Sequence, residues 1–261
     1  MNRALIGWTG FVGSHLARDA TFTHRYRSTD IDTIAGQSFE RVVSAGAPAV
    51  KWLANKEPAA DRTAIAKLTE ALAQVEAREF VLISTVDVYP EPIGVDEDFV
   101  PAPAAGEAYG RHRRELEAFV RARFPNALIV RLPGLFGDGL KKNIIFDCLN
   151  GNRLEVIHQD GVFQFYELAH LAADIERALA AGVRVLNIAT EPVATRDVAR
   201  CVLGRELTNT LPPPAPRYDF HSRHARLWGR SGPYLYSQAE VLADLGRFVA
   251  RTRAGSGGSA G

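Results

Sequence analysis

Sulfur is scarce in this chain: two cysteines and one methionine in 261 residues. Cys148 and Cys201 stand singly in apolar, helical-looking patterns with no C-x-x-C pair. That argues against a disulfide framework or a zinc ribbon and for buried, reduced thiols in a cytoplasmic protein. Long apolar runs are lacking too. None approaches the roughly 18 residues of a membrane helix, and the N-terminus reads as a strand rather than a signal peptide. Charge of one sign is not in excess, with 31 basic and 30 acidic side chains and a net +1. No global field therefore favours nucleic acid or a membrane surface, and the local arginine runs lack aromatic interleaving or a nucleic-acid motif. No G-x-S-x-G elbow stands between a strand and a helix, which removes the usual hydrolase reading. His221 and His224 have no partnering ligand cluster, so no metal site is expected.

What is present is an alternation of short apolar runs and helical patterns. At 46% hydrophobic and 23% charged, the chain can bury one large core or two modest ones. Arg3-Ala4-Leu5-Ile6 is followed at once by Gly7-Trp8-Thr9-Gly10-Phe11-Val12-Gly13 and a helical pattern over Ser14 to Asp19. Strand, glycine loop and helix in that order cradle a phosphate, because glycines allow close backbone approach and the helix start offers free N–H groups. Gly7, Gly10, Phe11, Val12 and Gly13 are thus candidate cofactor contacts; a tight turn without a ligand is the competing reading. The second strand spans Thr23 to Arg27. An Arg at this place accommodates the 2′-phosphate of NADP, whereas a carboxylate holds the ribose of NAD. Arg27 and Ser28 precede Asp30 and Asp32, an order that favours NADP, with plain solvated charge as the alternative.

A third strand begins at Arg41 and runs into the small-residue turn Ala45-Gly46-Ala47, on which a cofactor can lie flat. Its short distance from the second strand implies a trimmed crossover helix. Lys51 to Asn55 and Pro58 read as loop, with Trp52 a core or lid aromatic. Asp61 or Thr63 then caps a helix to Ala77 that turns Ile65, Leu68, Leu72 and Val75 inward. Phe80 to Ile83 has the continuous apolar character of a parallel strand buried on both faces. The alternation predicts a doubly wound α/β sheet, with ligands beyond the carboxyl ends of its strands.

That edge collects the chemistry. Ser84, Thr85 and Asp87 follow the fourth strand, and a loop with four prolines leads to a helix from Tyr109 to Arg123. Tyr109 and Arg113 are one turn apart and share a side of that helix. Leu116, Phe119 and Val120 should face inward, with Arg111, Arg114, Arg121 and Arg123 solvated. Another strand, Asn126 to Leu132, ends in Pro133-Gly134-Leu135-Phe136-Gly137, and Val183 to Ile188 is a later strand.

Gly7, Gly10 and Gly13, the run from Ser84 to Tyr89, Asp96-Glu97, Tyr109-Gly110 and Arg131 through Gly137 together resemble the short-chain dehydrogenase/reductase superfamily. They are nearest its extended branch of sugar-nucleotide epimerases/dehydratases and dehydrorhamnose-reductase-like proteins. The resemblance spans most of the chain. It implies a Rossmann-type doubly wound sheet with a small C-terminal substrate-binding lobe, and an NAD(P) cofactor. By this likeness Thr85 is the Ser/Thr that bonds the substrate oxygen, and Tyr109 is the general acid/base. Arg113 stands where the family has a Lys that binds the nicotinamide ribose. A cation there still favours tyrosinate, although Arg cannot relay a proton. Pro133 and Gly134 fall in the cofactor-binding series. The position where many members place an Asn reads Asp61, and Phe163-Gln164-Phe165-Tyr166 lacks the Arg that grips a diphosphate in extended members. Asp87 and Asn143 are candidate substrate residues; for Asn143, a turn capping the next helix is the alternative.

The expected division is a cofactor-binding core over 1–136, then a mixed region over 137–250 that gives the substrate lobe and returns to the core over about 167–200. A Gly/Ser-rich tail over 251–261 completes the chain. The function implied is an NAD(P)-dependent oxidoreductase, epimerase or dehydratase acting on a hydroxyl or carbonyl of a sugar-like or other small polar molecule. The alternative is a non-catalytic dinucleotide-binding sensor. Related enzymes often pair through the helix of the tyrosine, so the likeness also allows a homodimer there.

Overall fold

Apolar runs set the strands, and the glycine and proline punctuation sets where the helices begin. In the computed structural model, which describes residues 2–209 and 211–256, the chain first forms β1 (Arg3–Ile6), α1 (Phe11–Leu16), β2 (His24–Tyr26), β3 (Ser38–Ser44) and α2 (Lys51–Lys56). Next come α3 (Pro58–Ala73), β4 (Glu76–Thr85), α4 (Ala108–Arg123), β5 (Leu128–Leu132), β6 (Gly134–Phe136) and α5 (Ile144–Asn150). The remainder is β7 (Val162–Phe163), β8 (Phe165–Glu167), α6 (Leu171–Ala180), β9 (Val185–Asn187), β10 (Val193–Ala194), α7 (Thr195–Leu203) and α8 (Gln238–Ser256). Packing divides the chain into two units.

The first unit runs up to Glu91 and adds Glu97–Leu132 and Leu171–Asn187. Its six strands pair in parallel in the order β2-β1-β3-β4-β5-β9. The expected doubly wound α/β sheet is therefore the fold. Winding reverses between β1 and β3, which makes that gap the switch point where such sheets bind ligands. The trimmed connection is more than a lost helix. A single 3₁₀ turn, Ile31–Ile34, carries the chain from β2 across β1 to β3, so the strand that would lie outside β2 in the longer dinucleotide fold is missing as well. Ile65, Leu68 and Leu72 of α3 pack with Val42, Phe80, Leu82, Leu116, Val120 and Ile129 in one core, where Phe80 stacks on Phe124 at 4.2 Å.

A buried polar network crosses this core. Arg131 on β5 forks onto Glu117 of α4, Nε to Oε1 at 3.0 Å and Nη2 to Oε2 at 2.6 Å. Ser84 Oγ donates to the same carboxylate at 2.6 Å, and Arg131 Nη1 donates to the Tyr89 hydroxyl at 2.7 Å. Asn187 Nδ2 of β9 donates to that hydroxyl at 3.0 Å. Glu117 is fully buried. Its charge is tolerable there because the guanidinium fork matches both of its oxygens.

Several local expectations change. α1 begins at Phe11, three residues early, because Gly10 serves as its N-cap. Lys51 to Asn55 form a helix rather than a loop, and Trp52 on it is 66% exposed, neither core nor lid. α3 starts at Pro58, where a missing N–H costs nothing, so Asp61 lies inside the helix and is no cap. Arg114 is bound rather than solvated, donating to the carbonyls of Val88, Pro103 and Ala105 at 2.7, 3.1 and 2.6 Å. Arg123 likewise donates to the carbonyls of Ala73 and Val75.

The second unit comprises Pro92–Asp96, Pro133–His170 and the chain from Ile188 onward. Phe136, Ile145, Cys148, Val198, Val202, Val241, Leu245 and Phe248 form its core. β6 pairs with β8 in parallel, and β7 with β10 antiparallel. Buried Gln164 binds the backbone of Phe220 through both amide atoms, at 2.8 and 2.9 Å, which accounts for a polar residue in that aromatic stretch. Both cysteines are free, and burial pushes the Cys148 thiol up to about 11. α8 continues to Ser256, so the first six residues of the expected tail are helical; residues 257–261 lie outside the described residues. No helix among the described residues is long and apolar enough to cross a membrane.

Candidate active site

The glycine turn after β1 is built for contact between backbones. Gly7 has φ +79°, and a methyl group there would lie 2.4 Å from the Ala45 carbonyl oxygen. One at Gly13 would lie 2.0 Å from the Gly7 carbonyl oxygen. Bare glycines thus let β1, α1 and the Ala45-Gly46-Ala47 turn after β3 converge at the switch point. Gly10 is exposed, and as N-cap of α1 it brings no side-chain hydrogen bond to the helix start. Phe11 and Val12 are half-buried in the first turn.

At the end of β2, Arg27 and Asp30 pair with each other, Nε to Oδ2 at 3.3 Å. The Arg27 backbone N–H and guanidinium hold the Asp30 carboxyl below its ordinary value. α3 brings a second cation that sequence reasoning missed: Lys67 Nζ lies 3.1 Å from the Ser28 carbonyl oxygen and 3.2 Å from Asp32.

Thr85, Asp87, Tyr109 and Arg113 come together at the carboxyl end of β4. Gly110 makes this possible, since a methyl group there would lie 2.1 Å from the Asp87 carbonyl oxygen. α4 can approach the turn after β4 only at this residue, and Tyr109 is delivered beside Thr85. The Thr85 Oγ1 donates to Asp87 Oδ2 at 3.4 Å and accepts from the Asp87 N–H at 3.2 Å, and the hydroxyl is close enough to the phenol to favour its ionised form. Burial pushes the Tyr109 phenol above its ordinary value; Asp87 adds to the rise, against the pull of Arg113, Thr85 and Lys51. Desolvation therefore outweighs the cations, and the phenol is neutral at pH 7.

Arg113 is turned inward. Its guanidinium stacks on the Tyr109 ring at 3.9 Å, Nη1 donates to Asp61 Oδ2 at 2.5 Å, and Nη2 donates to the Pro48 carbonyl. His112 Nδ1 shares the same Asp61 oxygen at 2.7 Å. Burial raises the Asp61 carboxyl, but the Arg113 and His112 hydrogen bonds outweigh it and hold the group below its ordinary value.

α2 completes the group. Asn55 Oδ1 accepts from the Tyr109 N–H at 2.9 Å, its Nδ2 donates to Glu107 at 2.5 Å, and Lys51 Nζ lies 2.8 Å from Asp87 Oδ1. Lys51 and Asn55 are one turn apart, a spacing that reveals the pair once the segment is read as helix. Arg131 with Glu117 was legible in principle, because an arginine in an apolar strand demands a carboxylate. Pro133, Gly134 and Asn143 belong to the second unit. There Gly134 N–H donates to the Gln164 carbonyl at 3.1 Å, and Asn143 caps α5, accepting from Phe146 N–H at 3.1 Å.

No protein-family model matches the chain, and no curated protein matches it by sequence. Solved structures do. The RMD protein of Pseudomonas aeruginosa, complexed with NADPH, is 19% identical over 97% of this chain and 99% of its own, with a TM-score of 0.75. A dTDP-4-dehydrorhamnose reductase from Clostridium acetobutylicum is 18% identical over 97% and 100%, with a TM-score of 0.73. A UDP-galactose 4-epimerase is 18% identical over 97% and 99%, with a TM-score of 0.71. This chain shares their fold. It does so along nearly its whole length.

Proposed function

We propose that this protein is an NAD(P)-dependent oxidoreductase that reduces a carbonyl of a sugar-like or other small polar substrate, with Tyr109 as proton donor and Thr85 as the group that polarises the oxygen. The placing of the Thr85 hydroxyl beside a neutral, buried Tyr109, in the same unit as the glycine turn, carries this reading. The turn fits a dinucleotide: its glycines leave no side chain in the gap between β1 and β3, and α1 opens without a side-chain cap. Gly7, Gly10, Phe11, Val12, Gly13, Ala45, Gly46 and Ala47 would hold the cofactor there. When bound, a nicotinamide supplies the hydride.

Thr85 donates to the substrate oxygen and Tyr109 gives up its phenolic proton to it as negative charge develops. A phenol held above its ordinary value keeps its proton at neutral pH, the form that a donor to a developing alkoxide must have. Asp87 is assigned to the substrate, whereas the Asn143 side chain is taken up in capping α5. Arg113, fixed beneath the ring, offsets tyrosinate charge left after transfer. Arg27, Ser28 and Lys67 favour NADP over NAD, in keeping with the NADPH complex of the Pseudomonas protein. One observation favours a non-catalytic dinucleotide sensor: Arg113 is spent on Asp61 and Pro48.

The test is to titrate NADPH and NADH against wild type, Tyr109→Phe, Arg27→Ala and Lys67→Ala, then screen keto-sugars and other carbonyl compounds for turnover. NADPH should bind more tightly, and each cation deletion should weaken NADPH by roughly tenfold with little effect on NADH, about 1.4 kcal/mol. Tyr109→Phe should bind cofactor normally and turn over at least about 100-fold more slowly. Failure to bind either cofactor sinks the proposal; tight binding without turnover of any carbonyl supports the sensor.

A further inference from the structure

Tyr109 faces charged groups from every element around it: Arg113 on α4, with Asp61 and His112 behind it, Asp87 in the turn after β4, and Lys51 on α2. The two cations differ in kind. Arg113 is buried and clamped on one side of the ring by a carboxylate and a carbonyl. The Lys51 side chain is 43% exposed and reaches the site on a flexible stem, and it pairs with Asp87, an anion that opposes ionisation of Tyr109.

Resting on the proposed function of the Tyr109 site, we propose that Lys51 is a positioning residue for the proton transfer: from α2 it masks the Asp87 carboxylate and so sets the acidity of Tyr109. The helix that carries it is docked for the purpose. Asn55, one turn further on, binds the Tyr109 N–H and Glu107, so α2 and the first turn of α4 are tied, and Lys51 is held at a fixed register to the phenol. An Arg at 113 that is committed elsewhere leaves an adjustable cation lacking at this site, and Lys51 fills that place from a different part of the chain. The ammonium acts on Tyr109 in two ways with the same sign. It attracts tyrosinate directly, and it cancels the Asp87 charge that repels it.

The experiment does not need a substrate. Biosynthetic 3-fluorotyrosine labels the seven tyrosines for ¹⁹F NMR, and Tyr109→Phe assigns the resonance. Lys51→Met should move the Tyr109 titration midpoint up by about one pH unit. Lys51→Arg should restore it, and Asp87→Asn in the Lys51→Met background should bring it back toward wild type. Lys56→Met, an exposed lysine on the same short helix, should leave it in place. With a carbonyl substrate in hand, Lys51→Met should lower kcat at pH 7 by about tenfold and leave KM within about twofold. An unmoved midpoint in Lys51→Met, with the Tyr109 resonance still in its folded position, overturns the inference. The two claims fail separately: absent cofactor binding defeats the enzyme, and the fluorine titration still decides whether Lys51 governs Tyr109.

Discussion

Asp61 is the residue on which the cation under Tyr109 depends. One of its oxygens accepts from both Arg113 and His112, and all three side chains are buried. An Asn at 61 keeps an oxygen but gives up the countercharge, leaving a guanidinium buried without its anion. Removing one partner of a buried pair costs about 3–5 kcal/mol, far more than a surface pair contributes. Asp61→Asn is therefore expected to lose stability in that range at pH 7 by urea unfolding. The pH dependence follows from the depressed carboxyl. Its contribution is fully present above the unfolded value near 3.9 and disappears as pH falls through the lower folded value. Wild type should accordingly lose stability below about pH 4, and Asp61→Asn should lack that increment. A variant as stable as wild type at pH 7 would show that Arg113 is held by Pro48 and ring stacking alone.

Among the elements, α8 carries the clearest local signal. Ser237 and Glu240 form a reciprocal cap: the Ser237 N–H and hydroxyl donate to Glu240 Oε2 at 2.8 and 2.7 Å, and Glu240 N–H donates to Ser237 Oγ at 3.3 Å. Burial raises the Glu240 carboxyl, but the Ser237 bonds and Arg230 overcome it and bring it to about 2. Glu240→Ala should cost about 1 kcal/mol, seen as a lower denaturation midpoint, and the loss should persist to well below pH 4. A neutral substitution would mean that Ser237 alone caps the helix. Such a Ser-x-x-Glu spacing is readable in a sequence, as were the glycine turn and the apolar strands β1, β3, β4 and β5, because each rests on neighbours a few residues apart. α2 was not readable. Lys51-Trp52-Leu53-Ala54-Asn55-Lys56 sits between Val50 and Pro58, turns only Ala54 fully inward, and leaves Trp52 and Leu53 exposed. A helix that buries so little has no periodic signature; its stability comes from Asn55 on Tyr109 and Lys51 on Asp87, partners that are distant in sequence. For the same reason Thr85, Tyr109 and Arg113 were legible as a set, whereas the inward turn of Arg113 was not. Nothing in the sequence says that Asp61 and the Pro48 carbonyl converge on it.

At the scale of the molecule, the parallel sheet of the first unit is held against α4 by one charged network. Glu117 lies eight residues after Tyr109 on the same helix and binds Arg131 and Ser84, while Arg131 reaches Tyr89 and, through it, Asn187. Strands β4, β5 and β9 thus share one anchor with the helix that presents the phenol. Hydrophobic contacts alone would let α4 slide by a fraction of a turn at little cost. A bidentate pair does not, since displacement strands two charges in the core. The test of this role is a double-mutant cycle. Arg131→Met should destabilise by about 3–5 kcal/mol because it leaves Glu117 buried and unpaired. Arg131→Met with Glu117→Leu should recover most of that loss, since an apolar pair of similar volume removes both desolvation costs, giving a coupling of about 2–3 kcal/mol. The recovered stability should not bring back full activity: without the fork, α4 keeps its packing but not its register, so kcat should remain lowered while cofactor affinity stays near wild type. Additive single losses, or a double variant as active as wild type, would show that apolar packing sets the position of Tyr109 without the network.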